Sequence, residues 1–147
     1  MQSNIELVKE ALATVEAGNI KKLAGLVTDD MTFEGPMPEP QPKAAYLGML
    51  EALLHAIPNW KFDAKNFVEK GDQVSAIFNV NGTQTATLTL PMLPQPLAAT
   101  GKRFQVAAEP VEFTFKGGKI SRIKVEVVPG GGVMGILAQL GVALPVA

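Results

Sequence analysis

The sequence predicts a single-domain α+β fold, with helices first and a meander of mostly antiparallel strands after them, on three observations. Near the N-terminus, Ile5, Val8, Leu12 and Val15 recur at helical spacing. Further on, Val111, Phe113 and Phe115 alternate with Glu112 and Thr114, and Ile123, Val125 and Val127 alternate with Arg122, Lys124 and Glu126, the two-residue period of half-buried strands. Between those two runs lies Lys116-Gly117-Gly118-Lys119. A Gly-Gly pair supplies the positive φ angles of a primed turn, so two long strands within Phe104 to Val128 should pair antiparallel.

The other elements follow in order. Ser3 or Asn4 can cap the first helix, which stops at Gly18-Asn19. A second short helix, Ile20 to Val27, turns Leu23 and Leu26 inward and makes an antiparallel pair with the first. Met31 to Glu34 reads as a short strand stopped by Gly35-Pro36, and Met37 to Pro42, with three prolines, as an extended loop. Lys43 to Ile57 is a third helix, ended by Pro58. A strand from Trp60 to Glu69 turns at Lys70-Gly71-Asp72 into its partner Gln73 to Asn81, and Gly82 bends the chain into a further strand, Thr83 to Leu90. A second Pro-rich loop, Pro91 to Leu97, precedes the central hairpin.

Composition excludes several functions. Thirteen basic and fourteen acidic residues leave a net charge of −1 with no basic run, so no nucleic-acid partner is expected. The absence of cysteine excludes disulfides and thiolate chemistry, and with one histidine no structural zinc site is expected; carboxylates alone could hold a hard cation, but neither metal nor cofactor is the expectation. The first residues lack a basic n-region, which reads as cytoplasmic. The apolar tail, Gly130 to Ala147, is shorter than the ~20 residues that span a bilayer; it reads as a terminal helix on the sheet or against a second subunit, with no membrane partner. Within it, Gly130 to Gly135 matches the phosphate-cradling G-x-G-x-x-G pattern, but no βαβ unit or following acidic residue accompanies it. A flexible connector is the expectation there.

The segments Leu26 to Phe33, Ala56-Ile57-Pro58-Asn59-Trp60, Gly71-Asp72-Gln73-Val74, Asn81-Gly82-Thr83, Thr100-Gly101-Lys102, Gly117-Gly118-Lys119-Ile120 and Gln139-Leu140-Gly141, in this order and spacing, resemble the NTF2-like (cystatin-like) superfamily, in its SnoaL-like polyketide cyclase or ester cyclase branch. The resemblance covers nearly the whole chain. It implies a strongly curved sheet in a cone wrapped by three N-terminal helices around an apolar pocket, followed here by the C-terminal helical tail, and often a homodimer through the outer sheet face. It also implies a histidine after the Gly-Thr pair and an aspartate near the end of the last strand as general base. Gln84 and Val127 to Gly132 stand in those places, and neither exchanges a proton near neutral pH. The Asp, Arg and Asp set of the superfamily's epoxide hydrolases has no counterpart, since Asp29, Asp30, Asp63 and Asp72 fall at element ends or near turns.

Glu109 is the first candidate for chemistry. It keeps strand parity with Val111 and Phe113, so a regular strand aims its carboxyl at the apolar interior, where its pKa rises. Alternatively, Pro110 marks a bulge that turns it outward, or an Arg or Tyr satisfies it. Tyr46 and Trp60 either line the pocket mouth against a flat ligand or are core. Asn81 and Gln84, flanking the Gly82 bend, either hydrogen-bond a ligand carbonyl or hydroxyl in the cavity or decorate a strand end. Glu34 either projects from the wall on the Pro-rich-loop side or is a surface carboxylate. His55 is expected in solvent, and both Pro-rich loops are expected at the entrance with the C-terminal helix. Three functions fit: binding of a small hydrophobic or polycyclic molecule, a cyclase or isomerase using Glu109 as acid or base, and a non-catalytic dimerisation module whose tail fills the cavity.

Overall fold

The structure, a computed structural model, describes residues 3–35, 39–90, 93 and 95–142. Helix α1 (Asn4–Glu16) begins where the Ser3 hydroxyl accepts the Glu6 N–H at 3.1 Å, and buries Val8, Ala11 and Val15. Helix α2 (Ile20–Ala24) is shorter than its periodicity suggests. The chain leaves it early because the Leu26 carbonyl accepts the Ile120 N–H and Val27 pairs with Ile120. Strand β1 therefore spans Val27–Glu34 rather than starting at Met31. Strand β2 (Gln41–Pro42) forms within the expected loop, pairing Gln41 with Phe33 at the sheet edge, where a missing proline N–H costs no ladder bond. Helix α3 (Lys43–Ala56) buries Tyr46, Leu50 and Leu53.

The stretch from Trp60 to Ala64 is not a strand. Lys61 makes one isolated bridge to Asn81, and left-handed backbone at Asp63 (φ 43°) and Asn66 (φ 58°) breaks the run. Strands β3 (Lys65–Lys70) and β4 (Gln73–Phe78) follow. The strand expected through Leu90 shrinks to β5 (Asn81–Thr83), paired with β6 (Arg103–Gln105), plus one bridge between Leu88 and Leu97. The first arm of the expected central hairpin is divided, β6 being followed by β7 (Glu109–Lys116). Its turn behaves as the sequence requires: Gly117 and Gly118 adopt φ of 60° and 79°, and β7 returns as β8 (Lys119–Val125).

The main sheet runs β2-β1-β8-β7-β4-β3, antiparallel except for the parallel pair β1 and β8, and β5–β6 form a separate ladder. On one sheet face, Met31, Phe33, Val74, Val111, Phe113 and Ile123 join the helices in one core. Helix α4 (Gly132–Gln139) completes it with Val133, Ile136 and Leu137. The Gln139 side chain fastens this helix, accepting the Gln105 N–H at 2.9 Å and donating to the Gln105 carbonyl at 2.7 Å. Among the described residues no helix is long and apolar enough to cross a membrane. Parts of both Pro-rich loops, and the tail beyond Val142, lie outside the described residues.

Candidate functional site

Between the sheet and helices α1, α3 and α4 lies a cavity of about 90 Å³. Only Tyr46, Trp60 and Glu109 among its lining side chains carry a nitrogen or oxygen; the rest are aliphatic, aromatic, Met49 or Gly132. The cavity exists because inward positions of β7 and β8 hold Phe113 and Ile123, while α3 faces them with Met49, Leu50 and Leu53.

Glu109 opens β7 in regular register, opposite Phe78, with Pro110 opposite Ile77. No bulge turns it outward, and it is only 4% exposed. No arginine or tyrosine satisfies it: Oε2 is buried without a hydrogen-bond partner. Burial pushes its carboxyl pKa up, against a smaller downward pull from the Gly132 N–H. Among the lining residues Tyr46 is the only other titratable group, and burial raises its phenol pKa as well, keeping it neutral. Nothing in the cavity wall therefore offers Glu109 a counter-charge.

The glycine segment expected to be a plain connector is what closes over this carboxyl group. Gly130 (φ 78°) and Gly132 (φ 65°) use left-handed backbone, and Gly131 caps α4. A Cβ on Gly131 would stand 2.9 Å from Glu109 Cδ, so only glycine permits this approach. The segment is held by the Gly131 N–H on Val128 O (3.0 Å) and the Ala107 N–H on Gly130 O (3.1 Å). Gly135 fits the same closure, since its Cβ would lie 2.3 Å from Gly130 O. Gly135→Ala is expected to displace the start of α4, costing about 1–3 kcal/mol for overpacking less up to about 1 kcal/mol of improved helix propensity. Chemical denaturation of both proteins measures the difference.

Burial also sets a pH dependence. Folding raises the Glu109 pKa, so between the ordinary and the raised value the folded state holds more protons than the unfolded state. This contribution to stability is complete below the unfolded value and is lost as pH rises through the folded one. Thermal melts of wild type minus Glu109→Gln should fall with rising pH across that window, whereas an unperturbed carboxyl group would give a flat difference.

Tyr46 and Trp60 both line the cavity and are both buried. The Tyr46 ring packs on Phe33 at a centroid distance of 4.9 Å. Trp60 meets Phe62 and Phe104 edge-on at 5.8 and 6.4 Å, and its Nε1 is buried without an acceptor.

The remaining candidates do not join them. Asn81 gives its amide to Asp63 Oδ2 (2.6 Å) and its own neighbour Asn79 O (3.0 Å), and accepts from Arg103. Gln84 donates to the carbonyls of Ala86, Leu97 and Ala98 and accepts from the Thr100 N–H and hydroxyl, binding the second Pro-rich loop to the ladder. Neither amide has a group left for a ligand in the cavity, which neither lines. Glu34 lies on the opposite sheet face from Phe33, where Arg122 donates to it through Nη2 at 2.9 Å and through Nε; these bonds hold its carboxyl below the usual range. His55 is exposed on α3. Of the loops expected at the entrance, the described residues contribute nothing to the lining, whereas α4 contributes Gly132, Val133 and Ile136.

Known proteins share this architecture. AclR from Streptomyces galilaeus superposes with a TM-score of 0.73 at 18% identity, over 92% of this chain and 93% of that one. A SnoaL-like polyketide cyclase from Agrobacterium tumefaciens gives 0.69 at 22% identity, over 96% and 100%. A cystatin-fold protein from Novosphingobium aromaticivorans gives 0.63 at 20%, over 86% and 100%. Among curated proteins none matches the sequence. The SnoaL-like domain matches residues 8–123, most of the chain. With an NTF2-like, cystatin-type α+β fold and that match, the chain belongs to the SnoaL-like domain family.

Proposed function

We propose that the cavity binds a small, largely apolar carbonyl compound and that Glu109 exchanges a proton with it, as a cyclase- or isomerase-type acid/base. One observation carries this reading: a buried carboxyl group with a raised pKa, one oxygen of which (Oε2) has no hydrogen-bond partner among the described residues, belongs to a residue in the wall of an otherwise apolar cavity. A structural carboxyl group in such a place has both oxygens bonded or a counter-charge beside it; a buried oxygen with neither is an expense in stability that a ligand can offset. The ionised form would remove a proton from the carbon next to the carbonyl. The C–H pair becomes the enolate double bond, charge moves to the oxygen, and the protonated Glu109 returns the proton to a carbon.

The dimerisation-module reading required the tail to fill the cavity. Leu137 and Leu140 are buried, but α4 meets the cavity through Gly132, Val133 and Ile136, and the described residues do not fill it, which favours a ligand; Leu144 lies outside the described residues. A cavity of about 90 Å³ also favours a small molecule over a polycyclic one.

The test uses cyclohexanone in D₂O. The wild-type protein should accelerate exchange of its α-protons, read by proton NMR, and Glu109→Gln should lose the acceleration. Equal rates with and without wild-type protein, for this ketone and for cyclopentanone, would remove the proton-transfer reading.

A further inference from the structure

Glu109 Oε2 is not the only buried polar atom without a partner among the residues that line this cavity. Trp60 is the sole tryptophan of the chain, it lines the same space, and its indole N–H is buried with no acceptor. A buried indole normally finds a partner, because the group can only donate and water is excluded from it. The Trp60 backbone N–H is held by Ile57 O at 3.1 Å, and Phe62 and Phe104 abut the ring edge-on. The sequence left Trp60 as either an aromatic surface for a flat ligand or part of the core, whereas the structure leaves its nitrogen as the unused feature.

Two further observations restrict what could use it. Among the described residues no lysine, arginine or histidine lines the cavity, so an anionic ligand would be buried beside a carboxyl group with no counter-charge. The volume, about 90 Å³, is below the ~150 Å³ of a cavity known to take benzene, so a fused polycycle is excluded and even a single six-membered ring must push the wall outward.

We propose that the Trp60 indole N–H is the second polar contact of the site, and that the ligand is a neutral molecule of about one ring whose acceptor oxygen it binds, in the cavity shared with Glu109. This rests on the ligand-binding reading above and adds to it the ligand's charge, its size and the residue that recognises its oxygen. An oxygen fixed at Trp60 also polarises the carbonyl, so that the neighbouring carbon becomes the acidic one. Trp60 is thus a specificity residue that a search for titratable groups does not find.

The experiment compares three probes of matched shape: cyclohexanone, methylenecyclohexane, which lacks the oxygen, and cyclohexanecarboxylate, which is charged. Binding is followed by ¹H–¹⁵N NMR, in which the single tryptophan gives one indole N–H signal. Cyclohexanone should move that proton downfield and bind about tenfold more tightly than methylenecyclohexane, the size of one neutral hydrogen bond to a buried donor. The carboxylate should bind more weakly than the ketone. In Trp60→Phe the ketone's advantage should vanish while the hydrocarbon binds as before.

Equal affinity for ketone and hydrocarbon in the wild type, or equal loss of both in Trp60→Phe, would show a merely structural indole and overturn the assignment while leaving the cavity as a binding site. A carboxylate bound as well as the ketone would overturn the neutral-ligand requirement. Failure of every probe to bind would overturn the ligand-binding reading itself. If Trp60→Phe does not fold, the wild-type probe comparison and the indole shift decide the matter without it.

Discussion

In the Glu109→Gln protein, exchange of the α-protons of cyclohexanone is expected to fall about 10²- to 10⁴-fold, the usual contribution of a positioned acid or base, while affinity for the ketone changes by less than about tenfold. Gln keeps the shape of Glu and its capacity to hydrogen-bond but cannot take a proton. It should also accept the Gly132 N–H that now points at the carboxyl group. Because Glu109 must be ionised to act as base, the wild-type rate should rise with pH through the raised carboxyl value and then level off. NMR exchange rates across pH, set beside the affinity of each protein, separate loss of chemistry from loss of binding. A variant that exchanges as fast as the wild type would remove Glu109 from the reaction; one that loses both rate and affinity would mark it as structural.

Gln84→Ala is expected to destabilise the fold by about 3–5 kcal/mol without altering the cavity-lining side chains. Truncation leaves three carbonyls, of Ala86, Leu97 and Ala98, and the two Thr100 donors short of a partner around a fully buried site. Each neutral bond contributes about 1 kcal/mol net, and each group left buried and unpaired costs about 1–3 kcal/mol. Part of that cost is relieved by backbone bonds that remain between Gln84 and Lys102 and between Leu88 and Leu97. Chemical denaturation gives the loss, and amide exchange of residues 86–100 should show that the loop opens first. Gln84→Glu would be nearly as damaging, because a carboxylate cannot donate to three carbonyls. A loss below about 1 kcal/mol would mean that the loop is held by its apolar contacts and not by this side chain.

What the sequence revealed and what it concealed divide along one physical line. Interactions fixed by local periodicity were legible: the Ser3 cap, the Gly117-Gly118 turn, and the inward parity of Glu109, which is simply two residues from Val111. The α+β class and the family resemblance follow from the order of such elements, and both hold. Interactions that depend on which distant strands meet were hidden. Glu34 reaches Arg122, 88 residues away, only because β1 and β8 lie parallel and adjacent, and nothing local announces that pairing. Likewise, the strand expected from Thr83 to Leu90 carries suitable alternation but finds a partner only at its first residues and at Leu88.

The glycine run at 130–132 and the side chain of Gln84 were misread for a related reason. Sequence alone, with no βαβ unit beside the glycines, offers them only the role of a connector. Their role is to let backbone approach a buried carboxyl group that arrives from the other end of a strand. Gln84 was read by its position beside a bend, whereas its function is decided by carbonyls up to 14 residues further along, in a loop with no periodicity to follow. A usable signal existed in both places: three successive glycines before an apolar helix, and a fully apolar register broken by one amide, each ask what the exception touches.

The central claim, that Glu109 is a buried acid without a counter-charge beside a ligand space, is tested most directly by titrating its side-chain carboxyl carbon by ¹³C NMR, with and without saturating cyclohexanone. The account expects a midpoint above those of the other glutamates in the free protein, and a midpoint that moves when the ketone is bound. A carboxyl group that titrates with the exposed glutamates, and ignores the ketone, would contradict it.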